Sequence, residues 1–134
     1  AAAWADAAVI IPWTLYLMYG DQEILRIQYA SMRSWIEFMR EHSEDYIWNY
    51  KLQLGDWVAL DAQEGSYFGA TPNDLTCTAY FAYSTGLFAK IAKILGKSEA
   101  GDYEVLYQNI VKKFQNTFLT WKEISQVRHR RHIL

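Results

Sequence analysis

Cysteine is nearly missing from this chain of 134 residues. Cys77 stands alone, which excludes an internal disulfide framework and a thiolate zinc site. Its apolar neighbours mark it as a buried side chain rather than a reactive thiol. Long apolar runs are missing too. No stretch approaches the roughly 20 apolar residues that cross a bilayer, and the best candidate, Ala7 to Trp13, is short and ends at a proline. No cationic-then-apolar signal segment precedes it. An excess of one charge is also absent. A formal net charge of −2 gives no electrostatic case for nucleic acid, whose binding domains concentrate a basic face. The one basic cluster, Arg128 to His132, sits at the extreme C-terminus and reads as a solvated end rather than a phosphate clamp. His42, His129 and His132 show no metal-ligand spacing. No Gly-x-Ser-x-Gly elbow, Walker loop or dinucleotide fingerprint occurs, and Gly65-Ser66-Tyr67-Phe68-Gly69 reads only as a flexible loop. Neither a metal nor a cofactor is expected.

What is present is a packed, aromatic chain. Apolar residues make up 51% and aromatic residues 16%, which suits one domain with a moderate core and rules out a disordered tail. Four helices follow from the 3.6-residue periodicity. The first runs from about Asp6 to Tyr19, with Ala8, Ile11, Leu15 and Met18 on one stripe and Val9, Trp13 and Tyr16 beside it. Pro12 lies inside this pattern and should kink the helix or mark where its regular part begins. Gly20 suits the residue after the helix, and Asp21 can cap the next. The second helix runs from about Gln22 to Glu41, carrying Ile24, Ile27, Met32, Trp35, Ile36 and Met39 on one face.

Periodicity is then lost from Ser43 to Asn73, a stretch rich in aromatic residues and glycine. A connection this long inside a compact domain is usually functional. The third helix enters at Thr71-Pro72-Asn73-Asp74, where proline sits in the first turn, carries Leu75, Ala79, Ala82, Leu87, Ile91 and Leu95, and ends at Gly96. The fourth starts at Ser98 to Asp102, with Tyr103, Leu106, Ile110, Phe114 and Phe118 as its stripe. The class is therefore all-α: two antiparallel helical hairpins joined by one long aromatic loop, as in solenoids and α/α toroids.

The informative side chains are tryptophans paired with carboxylates. Trp4 stands two residues before Asp6, and Asp56 immediately precedes Trp57. A sugar ring offers an apolar C–H face and a rim of hydroxyls; indole covers the first and carboxylates accept hydrogen bonds from the second. Both pairs fall at helix or loop ends, where a hairpin array exposes them at one rim. Each also has a structural reading. Asp6 suits a helix N-cap with Trp4 packing before it as a staple, and Gly55-Asp56-Trp57 suits a turn whose Asp bonds to nearby backbone. On the residues alone these structural readings are the commoner. Trp13 and Trp35 read as core, Trp48 fits either role, and Trp121 reads as packing near the end of the last helix.

The run Trp4-Ala5-Asp6-Ala7-Ala8-Val9-Ile10-Ile11-Pro12-Trp13-Thr14-Leu15-Tyr16, closing with Tyr19-Gly20-Asp21, resembles the Trp-x-Asp-Ala…Pro-Trp…Tyr-Gly-Asp block of bacterial α-L-rhamnosidases. Further matches follow in order: Trp35-Ile36, then Gly55-Asp56-Trp57, then Thr78-Ala79-Tyr80-Phe81-Ala82-Tyr83-Ser84, Ala92 to Gly96 and Tyr103 to Phe114. The similarity covers the chain to about Phe118. It implies an (α/α)6-barrel catalytic domain, of which residues 1–134 would be a partial domain. The start on Ala1-Ala2-Ala3, already inside a packed-looking element, is what an internal fragment would show.

The resemblance also implies hydrolysis of terminal α-L-rhamnosyl linkages with inversion, by one carboxylic acid and one carboxylate ~6.5–9.5 Å apart. The family's general acid lies upstream of the Trp-x-Asp-Ala block and its general base well downstream, so no catalytic residue is expected in this chain. Trp4 and Trp57 match indoles lining the rhamnose subsite. Asp6 and Asp56 match motif carboxylates, for hydroxyl binding or loop support rather than proton transfer. The implied partner is a rhamnose-containing glycoside. The tail, residues 119–134, with Gln126 to His132, departs from the family's Thr-Gln-Thr type loop. A piece of a closed toroid leaves apolar helix faces uncovered, which predicts self-association. Another (α/α)6 glycosidase and a helical-repeat interaction module with a peptide-binding aromatic loop are the alternatives.

Overall fold

The computed structural model describes residues 1–119; Trp121, His129, His132 and all but the first residue of the tail lie outside them. The order is α1 (Ala7–Tyr19), α2 (Glu23–Glu41), α3 (Asn73–Ile94) and α4 (Ala100–Phe118), with no strand among the described residues. All four helices and the long connection thus fall where the periodicity puts them.

The boundaries follow from local chemistry. Gly20 adopts φ 69° and donates its N–H to Tyr16 O at 2.8 Å, closing α1 in the left-handed conformation that glycine reaches without a Cβ penalty. Asp21 Oδ1 then accepts the Glu23 N–H at 2.8 Å, satisfying one orphan donor of α2. Pro12 is buried inside α1, and the helix runs on through it; so early in the helix its missing N–H forfeits a single backbone bond. The α3–α4 turn closes with Lys97 N–H on Ala92 O at 2.8 Å and Gly96 N–H on Lys93 O at 3.1 Å, a Schellman-type ending.

Packing is centred on α3, which lies most extensively against α4 and also touches α1 and α2. Short turns between packed neighbours make α1–α2 and α3–α4 antiparallel hairpins. The core joins Val9, Leu25, Met32, Ile36 and Met39 of the first hairpin to Phe81, Phe88, Ile91 and Ile110 of the second. Phe88 sits between two phenols, its ring centroid 5.0 Å from Tyr29 and 4.7 Å from Tyr103.

The helix faces differ in detail from the sequence reading. In α1 the buried positions are Val9 and Pro12, with Trp13 and Tyr16 half-buried, whereas Ile11, Leu15 and Met18 are exposed. Of the apolar stripe and the positions read beside it, it is the flanking Val9, Trp13 and Tyr16 that face inward, because α1 is apolar nearly all round and periodicity cannot choose between its faces. Ile27 is likewise exposed, and Leu25 and Tyr29 take the buried positions in α2. In α3 the inward face runs through Cys77, Thr78, Phe81, Ser84, Thr85 and Phe88, so small polar side chains belong to a core that a purely apolar count overlooks. Trp13 and Trp35 are partly buried and packed against the core as expected, and Trp48 is resolved as a core side chain.

Two phenol–carboxylate bonds tie α2 to the second hairpin: Tyr29 Oη donates to Glu99 Oε1 at 2.8 Å, and Tyr103 Oη to Glu37 Oε1 at 2.7 Å. Burial first, and the Glu37 carboxylate next, push the Tyr103 phenol up to about 12; Tyr29 is raised further, by burial and then Glu99. Unfolded, both phenols titrate near 10. Above that pH the unfolded chain sheds protons that the folded chain keeps, so stability is full below pH 10 and is lost as pH rises toward 12. The urea midpoint is expected to fall across that interval, and Tyr103→Phe should flatten the decline.

Candidate functional site

Asp6 is fully buried at the entry to α1. Its carboxylate gathers three donors: Oδ1 accepts Ser84 Oγ at 2.6 Å and Trp35 Nε1 at 3.0 Å, and Oδ2 accepts the Ala3 N–H at 2.8 Å. This replaces both structural readings of the motif. Asp6 makes no side-chain cap on α1, because its oxygens are turned back toward Ala3 and across to α2 and α3. Trp4 is no staple either, since 74% of its surface is exposed. Cys77 lies in the same interior; burial, and then the negative charge of Asp6, push its thiol up to about 11, which suits an inert core side chain.

The second pair sits in the connection between α2 and α3. Gly55 adopts φ 53°, and a Cβ there would run into Asn73 Oδ1, so the turn before Asp56 favours glycine unless Asn73 swings away. Asp56 Oδ2 accepts Thr71 Oγ1 at 2.9 Å, and its main-chain oxygen accepts the Gly69 N–H at 2.8 Å. Side chain and backbone of Asp56 therefore close the base of a loop running from 56 to 69. Trp57 pairs with Phe68 as an isolated antiparallel bridge, and Val58 N–H reaches Tyr67 O at 2.6 Å. The Trp57 indole lies stacked on Tyr67 at 5.2 Å and meets Phe68 edge-on at 5.4 Å, yet 45% of its surface remains exposed. Gly65–Gly69, read in the sequence as a flexible loop, is one arm of this hydrogen-bonded turn: Ser66 N–H bonds Gln63 O at 2.9 Å and Phe68 N–H bonds Ser66 Oγ at 3.1 Å.

Gln53 joins the two segments. It is buried, accepts the Ala2 N–H on Oε1 at 2.8 Å and donates Nε2 to Tyr50 O at 2.7 Å. The stretch that carries Trp4 is thereby fastened to the stretch that carries Trp57. Among the described residues no ring contact or side-chain hydrogen bond links Trp4 itself to Asp56 or Trp57. The connection upstream is anchored by Trp48, whose N–H reaches Thr78 Oγ1 at 3.0 Å and whose ring meets Trp35, Phe38 and Tyr50. The result is two exposed indoles on well-tied backbone, each beside a carboxylate engaged by the protein. Such surfaces suit a flat, half-apolar ligand.

A family model described as the bacterial alpha-L-rhamnosidase 6 hairpin glycosidase domain matches residues 1–132. The chain belongs to that family. Among curated relatives, the alpha-L-rhamnosidase of Formosa agariphila is 35% identical over 94% of this chain, and that of Alteromonas sp. (strain LOR) 39% identical over 87%. The chain spans only 14% and 13% of those proteins. The crystal structure of Streptomyces avermitilis alpha-L-rhamnosidase complexed with L-rhamnose superposes with a TM-score of 0.75 at 35% identity, over 87% of this chain and 10% of that one. The native Aspergillus terreus enzyme gives 0.80 at 30% identity, over 90% and 14%. The four helices are thus two hairpins of an α-L-rhamnosidase six-hairpin domain.

Of the residues that build this part of the rhamnosidase domain, the sequence reading missed Gln53, Ser84 and Tyr67 as participants. Gln53 and Ser84 give no local signal, since a lone amide in a loop and a serine inside a helix acquire meaning only from partners far along the chain. Tyr67 had one: it alternates with Phe68 across from Trp57, a pattern that predicts cross-strand pairing.

Gly69 offers a direct test of the loop's closure. A Cβ at this position would lie 2.6 Å from Asp56 Oδ2, so Gly69→Ala must displace the carboxylate or the backbone. The variant is expected to weaken the Trp57–Tyr67 stack, read as a changed near-UV circular dichroism signal, whereas Gly101→Ala, which meets open space, should leave it unchanged.

Proposed function

We propose that this chain supplies part of the sugar-holding wall of an α-L-rhamnosidase that hydrolyses terminal α-L-rhamnosyl linkages with inversion. The observation carrying the reading is the Trp57 platform, a half-exposed indole braced by Tyr67 and Phe68 on a closed loop, in a chain of this family. Trp4 and Trp57 cover the apolar faces of the sugar unit. Asp56 stands at its hydroxyl rim with one oxygen held by Thr71, and Asp6 belongs to the same set from the buried side. The relatives named above are α-L-rhamnosidases, and one of them was solved with L-rhamnose bound, which supports rhamnose as the sugar.

The proton-transfer pair lies elsewhere in the longer protein. Inversion needs an acid and a base ~6.5–9.5 Å apart, with room for water between them. Asp6 is closed off by three protein donors and Asp56 is engaged at the base of its loop, which supports a structural role for Asp6 and hydroxyl holding for Asp56, and proton transfer for neither. Assayed on an aryl α-L-rhamnoside, the isolated chain is expected to be inactive and the full-length protein active; turnover by the isolated chain would overturn this placement of the catalytic pair. In the full-length enzyme Trp57→Ala should raise KM about tenfold, equivalent to about 1.4 kcal/mol of lost binding, and a sugar panel should single out L-rhamnose.

The exposed apolar side of α1, with Ile11, Leu15 and Met18, is the face that we assign to contact with the rest of the six-hairpin domain. Freed from that cover the chain self-associates through it. Light scattering is expected to give a mass above 15.7 kDa, and Ile11→Glu with Met18→Glu should return it to the monomer value.

A further inference from the structure

Trp4 has a peculiar support. Its indole is 74% exposed and stacks on no ring among the described residues, so no ring partner fixes it and its placement leans on its backbone. That backbone is held in an uncommon shape. Ala3, immediately before it, sits at φ 68°, a left-handed conformation that a residue with a Cβ keeps only when its surroundings hold it there. The Ala3 N–H is bound to Asp6 Oδ2 at 2.8 Å. The other oxygen of the same carboxylate is fixed by Ser84 of α3 and Trp35 of α2, at 2.6 and 3.0 Å. Main-chain bonds complete the turn, from Ala5 N–H to Ala1 O at 3.1 Å and from Ala7 N–H to Trp4 O at 3.3 Å.

We infer that Asp6 is a positioning residue for Trp4: its buried carboxylate transmits the placement of α2 and α3, through the Ala3 N–H, to the indole. The inference rests on the reading of Trp4 as a sugar platform and adds what keeps that platform in place. Asp6 touches no ligand in this role, because it is fully buried and its three contacts are all protein donors. The requirement for a carboxylate is chemical. Three donors from three segments converge on two oxygens, and a carboxylate offers acceptors only. An asparagine has nearly the same volume but one acceptor oxygen and an NH2 group. Whichever way it is turned, it presents a donor either to Ala3 or to the Ser84–Trp35 pair. Asp6→Asn therefore keeps the core filled while releasing one end of the linkage.

The test uses the full-length protein labelled with 5-fluorotryptophan, with the Trp4 resonance assigned by its loss in Trp4→Phe. In Asp6→Asn the Trp4 signal is expected to narrow and shift toward the frequency of the unfolded chain, while the signal of Trp48, whose ring meets Trp35, keeps the dispersed position of a buried indole. The KM for an aryl α-L-rhamnoside and the Kd for L-rhamnose should rise together by about tenfold, with kcat changed less than about threefold. Ser84→Ala, which leaves the Ala3 contact in place, should move the same Trp4 signal in the same direction by a smaller amount; it carries the test if Asp6→Asn loses its fold, as a collapsed Trp48 signal would show. An unmoved Trp4 resonance in whichever variant remains folded would overturn the inference. A moved Trp4 resonance, with L-rhamnose affinity unchanged in both Asp6→Asn and Trp4→Phe, would uphold the Asp6–Trp4 linkage and overturn the sugar role of Trp4.

Discussion

A carboxylate enclosed in a protein core is tolerated only when donors surround it, because loss of hydration costs several kcal/mol that hydrogen bonds must offset (roughly 1.5–3 kcal/mol for each bond to a charged group). Asp6 meets this condition with Ser84, Trp35 and the Ala3 N–H, and among the described residues no salt bridge reaches it. The arrangement constrains far more than one side chain. It requires a serine on the inner face of α3, an indole N–H projecting from α2 and a reversed turn before α1, all at one point. Apolar packing among the four helices is permissive about small shifts, but three directional bonds on two oxygens are not. The register of α1 against α2 and α3 is fixed there, and the exposed N-terminal segment inherits that register.

The same economy of polar contacts recurs along the connection between the hairpins. Trp48 N–H to Thr78, Ala2 N–H to Gln53 and Asp56 to Thr71 each tie irregular backbone to something regular or to another irregular stretch. Buried or half-buried loop backbone needs such partners, since no ladder supplies them. Asp45, Tyr46, Lys51 and Val58 adopt positive φ along this path, conformations that an unanchored loop would abandon. The irregular segment is long, yet polar contacts tie it down at Trp48, Gln53 and Asp56.

How much of this could be read from the order of residues depends on the range of the interaction. The four helices and their ends were legible because Gly20, Asp21, Pro72 and Gly96 act within a few positions of themselves. The faces were less legible: α1 offers apolar residues on every side, so counting Ile11, Leu15 and Met18 identified a stripe but not its direction. Polar core contacts were not legible at all. Thr78 and Ser84 look like neutral helix residues, and their value lies in Trp48 and Asp6, thirty and seventy-eight positions away. Asp6 shows the limit most plainly. Its position before a helix suggested a cap, whereas the bonds it makes are set by tertiary neighbours. Family resemblance marked Trp4, Asp6, Asp56 and Trp57 as a set, but it did not say that one carboxylate faces inward and the other closes a loop.

The turn from 56 to 69 has one property with wider reach. Its hydrogen bonds are overwhelmingly its own, from Gly69 to Asp56, Val58 to Tyr67, Ser66 to Gln63 and Ala62 to Ala59, and its indole leans on rings from the same turn. Its ties outward are Asp56 to Thr71 and, just before it, Gly55 set against Asn73 at the start of α3. It is therefore a cassette: a tip whose internal bonds depend on Asp56, Gly69 and Thr71 at its base more than on the hairpins below. The shape of the tip and the frame of the hairpins then become separate matters, with the seam between them running through Gly55 and Thr71.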